Sequence, residues 1–166
     1  MRMILPSRVV AVALTLIGCA GAWAAPHRND KVYDAVMANR ADAVDLLGKI
    51  VNIDSGTGDA AGGAKVDAVL AGRLSALGAD VRREPAEAPG LPDNLVAVFR
   101  GKGKGRILII AHIDTVFGAG TAAARPFGIE GERAHGPGVG DEKAGVVNAV
   151  TALKILHDLE FTNYAT

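Results

Sequence analysis

Two short polar segments, each beside an apolar run, constrain most strongly what this chain can fold into. In the first, His112 ends the most apolar predicted strand, residues 106–112, and Asp114 follows two residues later. In the second, the glycine-rich residues 136–140 lead into Asp141, just before a predicted helix. A continuous apolar run is typical of a strand buried on both faces, and glycines let backbone pass close to a site. The two segments therefore predict a site at the end of a central strand.

The rest of the hydrophobic pattern predicts an α/β fold. Apolar residues that recur at helical spacing predict helices over residues 30–51, 64–77 and 142–159. Shorter apolar runs predict strands over residues 79–83, 94–100 and 106–112, and a small hairpin around Gly131. Helices and strands in this order predict a three-layer sandwich, in which helices cover a mixed sheet.

Residues 1–24 have the pattern of an export signal. Arg2 and Arg8 precede the uncharged run 9–17, and Ala-Trp-Ala at residues 22–24 fits a signal-peptidase site. The apolar run is too short for a good transmembrane helix, and a buried N-terminal helix is the less favoured alternative. We therefore expect residues 1–24 to be removed and the product to be periplasmic or secreted.

The single cysteine allows a second route of export. Residues 16–19, Leu-Ile-Gly-Cys, resemble a bacterial lipobox, in which case lipidation of Cys19 would tether the protein to a membrane. If cleavage follows Ala24 instead, no cysteine remains, so any metal must bind to His, Asp and Glu side chains.

Composition argues against a nucleic-acid partner. The chain has 18 Lys and Arg against 18 Asp and Glu, and only 4% of its residues are aromatic. There is no basic run of the kind that contacts a phosphate backbone. The length indicates a single domain after removal of the signal.

Each polar segment alone has an ordinary structural interpretation. His112 and Asp114 point to the same face of a strand, where Asp114 can hold the second ring nitrogen of a metal-binding His112. A histidine at a strand end next to a turn aspartate is the alternative. Asp141 has two carboxylate oxygens that can bridge two cations, or it can cap the following helix.

Together, the segments resemble those of the zinc exopeptidases that include glutamate carboxypeptidase, acetylornithine deacetylase and succinyl-diaminopimelate desuccinylase. Residues 112–116 match that family's His-x-Asp-x-Val, and residues 136–145 match its Gly-x-Gly-x-x-Asp-x-Lys-x-Gly. Pro137 is more similar to the glutamate carboxypeptidase branch. Ser-Gly-Thr at residues 55–57 and Asn-Leu-Val-Ala at residues 94–97 also fit the family's early landmarks.

The resemblance implies a role for each matching residue. His112 would bind one Zn2+, Asp141 would bridge two Zn2+ ions, and Asp114 would orient His112. A cis peptide bond is expected between Asp141 and Glu142. Glu142 and Lys143 match the family by position, but we expect them to form an exposed first helical turn without a chemical role.

The resemblance also implies an activity, the hydrolysis of a peptide or amide bond by metal-activated water. The substrate would be a small peptide or an N-acyl amino acid with a C-terminal glutamate. A deacylase of N-acyl amino acids in the same family is an alternative, and members of the family are often homodimers.

The resemblance further implies that part of the active site is missing from this sequence. The family's general base and remaining zinc ligands would follow Thr166. We therefore expect residues 25–166 to be the N-terminal part of a catalytic domain that is inactive alone. A truncated, non-catalytic product or an interaction module is the alternative from a different functional class.

Overall fold

The structure is a computed structural model that describes residues 28–88 and 90–166. The predicted signal peptide and the lipobox cysteine Cys19 lie outside these residues. In the part of the chain that the structure describes, no helix is both long and apolar enough to cross a membrane.

Residues 28–88 and 90–166 contain four α-helices and two pairs of short strands. Helix α1 is Asp30–Val51, α2 is Ala60–Ala76, α3 is the short Thr121–Ala124 and α4 is Ala144–Asp158. An irregular turn, Val139–Lys143, leads directly into α4.

Helix α2 begins earlier than the sequence pattern predicts. The Asp59 side chain accepts a hydrogen bond from the Gly62 N–H at 2.9 Å, so the helix starts at Ala60. Gly62 and Gly63 precede the predicted helix 64–77, but in the structure both are buried inside the first turns of α2. A Cβ atom at Gly63 would lie 2.7 Å from the Pro92 side chain, so the glycine permits a close helix–loop contact.

The strands form two small antiparallel sheets. Strand β1, Asp80–Glu84, pairs with β2, Asn94–Val98, in a register that sets Asp80 opposite Val98. Strand β3, Gly128–Glu130, pairs with β4, Arg133–His135, in the hairpin expected around Gly131. The packing of helices against these sheets confirms the α/β class.

The apolar segment 106–112 does not form the predicted central strand in the described part of the chain. Leu108 and Ile110 are 81% and 83% exposed. The backbone of this region bonds instead to the last residues of the sequence, where Ile107 N–H donates to the Thr166 carbonyl at 3.0 Å. A β-strand requires backbone hydrogen bonds to a neighbouring strand, and no other described residues form such a strand beside residues 108–112.

One hydrophobic core joins α1, α2 and α4. Its buried members are Leu46, Leu47, Ile50, Val51, Val66, Leu70, Leu74, Val146, Val147 and Val150. Strands β1 and β2 pack against this core through partly buried residues, including Val81 and Leu95. The packing fixes the C-terminal end of α1 next to the start of α4, and the candidate site is built at that junction.

Candidate metal centre

The segment 55–57 is bound to the segment 113–115 by side-chain and backbone hydrogen bonds. Ser55 Oγ donates to the Ile113 carbonyl at 2.8 Å, and Thr115 N–H donates to the Ser55 carbonyl at 2.9 Å. The Thr57 N–H donates to the Thr115 carbonyl at 2.9 Å. This pairing, which we call the 55–115 clamp, fixes the backbone on either side of Asp114.

Gly56 makes the clamp possible. A Cβ atom at this position would lie 2.4 Å from the carbonyl oxygen of Phe117. Real Cβ contacts are never that short, so any side chain would force the two segments apart. The Ser-Gly-Thr landmark of the sequence thus has a structural basis at each of its three positions.

His112 lies between the two carboxylates that the sequence analysis associated with it. Its Nδ1 is 3.1 Å from Asp114 Oδ1, and its Nε2 is 3.1 Å from Asp141 Oδ1. Partial desolvation acts to lower the pKa of His112. The hydrogen bonds to Asp141 and Asp114 outweigh this effect, so the pKa lies above its usual value.

Asp114 is held from its other side by a hydroxyl. Thr57 Oγ1 donates to Asp114 Oδ2 at 2.5 Å. The Thr57 hydroxyl, followed by the His112 imidazole, lowers the pKa of the Asp114 carboxyl below its usual value, against partial desolvation. Asp114 is therefore ionised at neutral pH and accepts hydrogen bonds with both oxygens.

Asp141 is presented by the turn between the glycine-rich loop and α4. Gly138 has φ 77°, and a Cβ atom there would lie 2.6 Å from the Thr115 side chain. The Asp141–Glu142 peptide bond is cis, as the family resemblance predicts. The Asp141 side chain is 87% exposed, so it can reach a ligand without losing another partner.

The two residues after Asp141 contradict the expectation of an exposed turn without a role. Glu142 Oε1 accepts the backbone N–H of His112 at 2.9 Å, which joins the two halves of the site directly. Lys143 is only 1% exposed and donates from Nζ to the carbonyls of Ile50 and Ile53, at 2.8 and 2.9 Å.

Burial of the Lys143 ammonium lowers its pKa to about 8, although nearby Asp54 acts in the opposite direction. No local pattern around Lys143 indicates this burial. Its acceptors lie at the end of α1, some 90 residues earlier in the chain.

Asp54 is a second residue that the sequence analysis did not single out. Its carboxylate accepts N–H groups from Gly120 at 2.7 Å and Ala122 at 2.8 Å. These two bonds hold its pKa below the usual value. They fix the start of α3 beside the clamp.

The comparisons with known proteins agree with this geometry. Residues 108–166 match the family described as Peptidase family M20/M25/M40. Carboxypeptidase G2 of Pseudomonas sp. (strain RS-16) is 34% identical over 157 residues, which cover 95% of this chain. The chain is similar to members of peptidase family M20/M25/M40. It spans 38% of the length of that carboxypeptidase.

The matched segment of the M20/M25/M40 family contains His112, Asp114 and Asp141. Two donor atoms on one Zn2+ lie roughly 3.0–3.5 Å apart, because each bond is roughly 2.0–2.2 Å long. The 3.1 Å between His112 Nε2 and Asp141 Oδ1 fits this requirement. Within residues 28–88 and 90–166, however, no three His, Cys, Asp or Glu side chains are grouped to hold a metal ion.

The site opens into a shallow groove of about 310 Å³. Its walls come from the clamp, from the segment 115–117 and from the glycine-rich loop. The groove is large enough for a small amino-acid side chain or an acyl group next to His112 and Asp141.

Proposed function

We propose that this chain contributes one half of the metal site of a carboxypeptidase-like, two-zinc metallohydrolase. His112 and Asp141 would hold metal, with Asp141 shared between two ions, and Asp114 would orient His112. The observation that carries the proposal is the convergence of His112 Nε2 and Asp141 Oδ1 at 3.1 Å, in a chain similar to members of a peptidase family.

Each residue of the group has a separate task. Asp114 fixes the imidazole of His112 through Nδ1, so that Nε2 faces Asp141. Glu142 holds the backbone of His112, and Lys143 holds the turn that carries Asp141. Zinc bound in such a site polarises the scissile carbonyl and activates a water molecule for attack.

The proposed reaction is removal of a C-terminal residue, with glutamate as the preferred leaving amino acid. The similar protein from Pseudomonas is named a carboxypeptidase, and Pro137 is similar to the glutamate carboxypeptidase branch. The groove beside His112 and Asp141 accommodates the acyl part of a small substrate.

Catalysis by residues 28–166 alone is not expected. A catalytic zinc normally has three protein ligands, and a missing general base costs roughly 10²–10⁴ in rate. We propose that the remaining ligands and the general base come from sequence beyond the described residues, since the Pseudomonas carboxypeptidase is much longer than this chain.

The test is a zinc titration of the chain followed by NMR, which detects weak binding. We expect Zn2+ to shift the resonances of both His112 and Asp141. The shift at Asp141 should disappear in His112→Ala, and the shift at His112 should disappear in Asp141→Ala. His157→Ala is the matched control, because His157 is half exposed on α4 and contacts Asp158 instead of the site. Zinc binding that survives both site substitutions would refute the proposal.

A further inference from the structure

The tautomer of His112 depends on which oxygen atoms face its two ring nitrogens. Two oxygens of Asp114 lie 3.1 Å from Nδ1, the carbonyl O and the carboxylate Oδ1. Both are acceptors, whereas Nε2 faces a single acceptor, Asp141 Oδ1, so a ring with one proton is better satisfied with that proton on Nδ1. In the neutral ring, Nε2 then has a free lone pair, which points toward Asp141 Oδ1.

Asp114 cannot impose this state without being held itself. Its side chain is 38% exposed, so water competes for both carboxylate oxygens. If the carboxylate rotated, Nδ1 would lose one of its two acceptors. Nε2–H could then donate to Asp141, which is the opposite tautomer.

The Thr57 hydroxyl restrains the rotation of the Asp114 carboxylate. Its hydroxyl has one proton, and Oγ1 is 2.5 Å from Asp114 Oδ2 but 3.4 Å from the Thr115 carbonyl. The shorter contact takes the proton, since hydrogen bonds to a carboxylate are short and strong. The 55–115 clamp fixes the Thr57 backbone, so the hydroxyl has a defined position from which to donate.

We propose that Thr57 is a positioning residue of the metal site, which acts through Asp114 to keep His112 in the Nδ1–H tautomer with Nε2 free for metal. This role rests on the proposed function, because it assigns a purpose to the free Nε2. It extends the site to a segment 57 residues before Asp114, outside the part matched to the family.

The first experiment needs no metal. Long-range ¹H–¹⁵N NMR of the full chain at alkaline pH, where the imidazole is neutral, reports which ring nitrogen of His112 carries the proton. We expect the Nδ1–H form to dominate in the wild type and in Thr57→Ser. In Thr57→Val, which removes the hydroxyl and keeps the shape, we expect the Nε2–H form to become comparable or dominant.

Thr121→Val is the matched control. Thr121 Oγ1 also donates a side-chain hydrogen bond, to the Gly118 carbonyl at 2.7 Å, but it does not contact Asp114. It should lose similar stability and keep the wild-type tautomer. A merely structural role of Thr57 would therefore affect thermal unfolding but leave the tautomer unchanged.

The second experiment is a zinc titration of the same variants. Groups that orient metal ligands contribute about 10–100-fold to affinity, and we expect Thr57→Val to weaken zinc binding about tenfold. An unchanged His112 tautomer in Thr57→Val overturns the proposed role of Thr57, whatever the zinc affinity of that variant. A shifted tautomer, with zinc binding that does not depend on His112, keeps the positioning role and refutes the proposed metal site.

Discussion

Replacing Lys143 with methionine tests how the turn that carries Asp141 is held in place. The Lys143 ammonium is buried at the C-terminal end of α1, where it binds the carbonyls of Ile50 and Ile53. The Ile50 carbonyl lies in the last turn of α1 and also accepts the Ile53 N–H at 3.4 Å, and the Ile53 carbonyl lies just beyond the helix. Methionine fills a similar volume but donates nothing.

The expected loss follows from two opposing effects. Each hydrogen bond from the charged ammonium contributes about 1.5–3 kcal/mol, and the variant loses two of them. Against this, burial of the ammonium lowers its pKa from 10.5 to about 8, which is about 3 kcal/mol of relief when the charge is removed. We expect Lys143→Met to lower the free energy of unfolding by up to about 3 kcal/mol.

The assay is urea denaturation at neutral pH, followed by far-UV circular dichroism. Lys154→Met is the matched control, because Lys154 forms only a partly exposed pair with Asp158 one turn away on α4. Such pairs contribute about 0.3–0.5 kcal/mol. If Lys143→Met is as stable as the control or more stable than the wild type, the cost of burying the charge outweighs its hydrogen bonds. Our account of this residue would then be wrong.

Three further predictions concern the clamp, acid stability and export. Gly56→Ala should disrupt the 55–115 clamp and lower the thermal midpoint by several degrees, because the new Cβ atom clashes with the Phe117 carbonyl. Gly72→Ala, on the open face of α2, is the control and should stabilise the protein slightly. A Gly56→Ala variant with an unchanged thermal midpoint would contradict the geometry. Because the folded-state pKa of Asp54 lies below 3.8, its contribution is complete above that pH and disappears as the pH falls through the folded pKa. The stability gap between wild type and Asp54→Asn should therefore close in acid, and a gap independent of pH would exclude this linkage. Mass spectrometry of the exported protein should show an N-terminus at Ala25, and a cytoplasmic product that retains the initiating methionine would contradict export.

Local sequence signals predicted the elements that depend on local interactions. The periodicity of residues 30–51 predicted α1 with the bounds that the structure has, and the hairpin around Gly131 follows from one glycine between short apolar runs. The start of α2 was predicted too late, because Gly62 and Gly63 usually mark loops. Here the Asp59 cap and the contact with Pro92 decide the conformation.

Features that depend on distant partners were the ones missed. Nothing near Lys143 in the sequence indicates burial, because its acceptors are carbonyls at the end of α1. The run 106–112 has the composition of a central strand, but its conformation depends on neighbouring strands that the described residues do not provide. The family motifs predicted His112, Asp114 and Asp141 as site residues, and the structure places these three side chains together. Their binding of metal stays a prediction.

The 55–115 clamp has a consequence for the order of folding. The hydrogen bond from the Ser55 side chain to the Ile113 carbonyl joins residues that are 58 positions apart in the chain. Closing this loop lowers the conformational entropy of the chain, and other interactions must offset that loss before the contact forms. Helix α1 can form locally, but the arrangement around His112 arises only after the chain has collapsed on its core. A synthetic peptide of residues 106–145 would therefore contain both sequence motifs, yet lack Thr57 and the carbonyl acceptors of Lys143 that shape them.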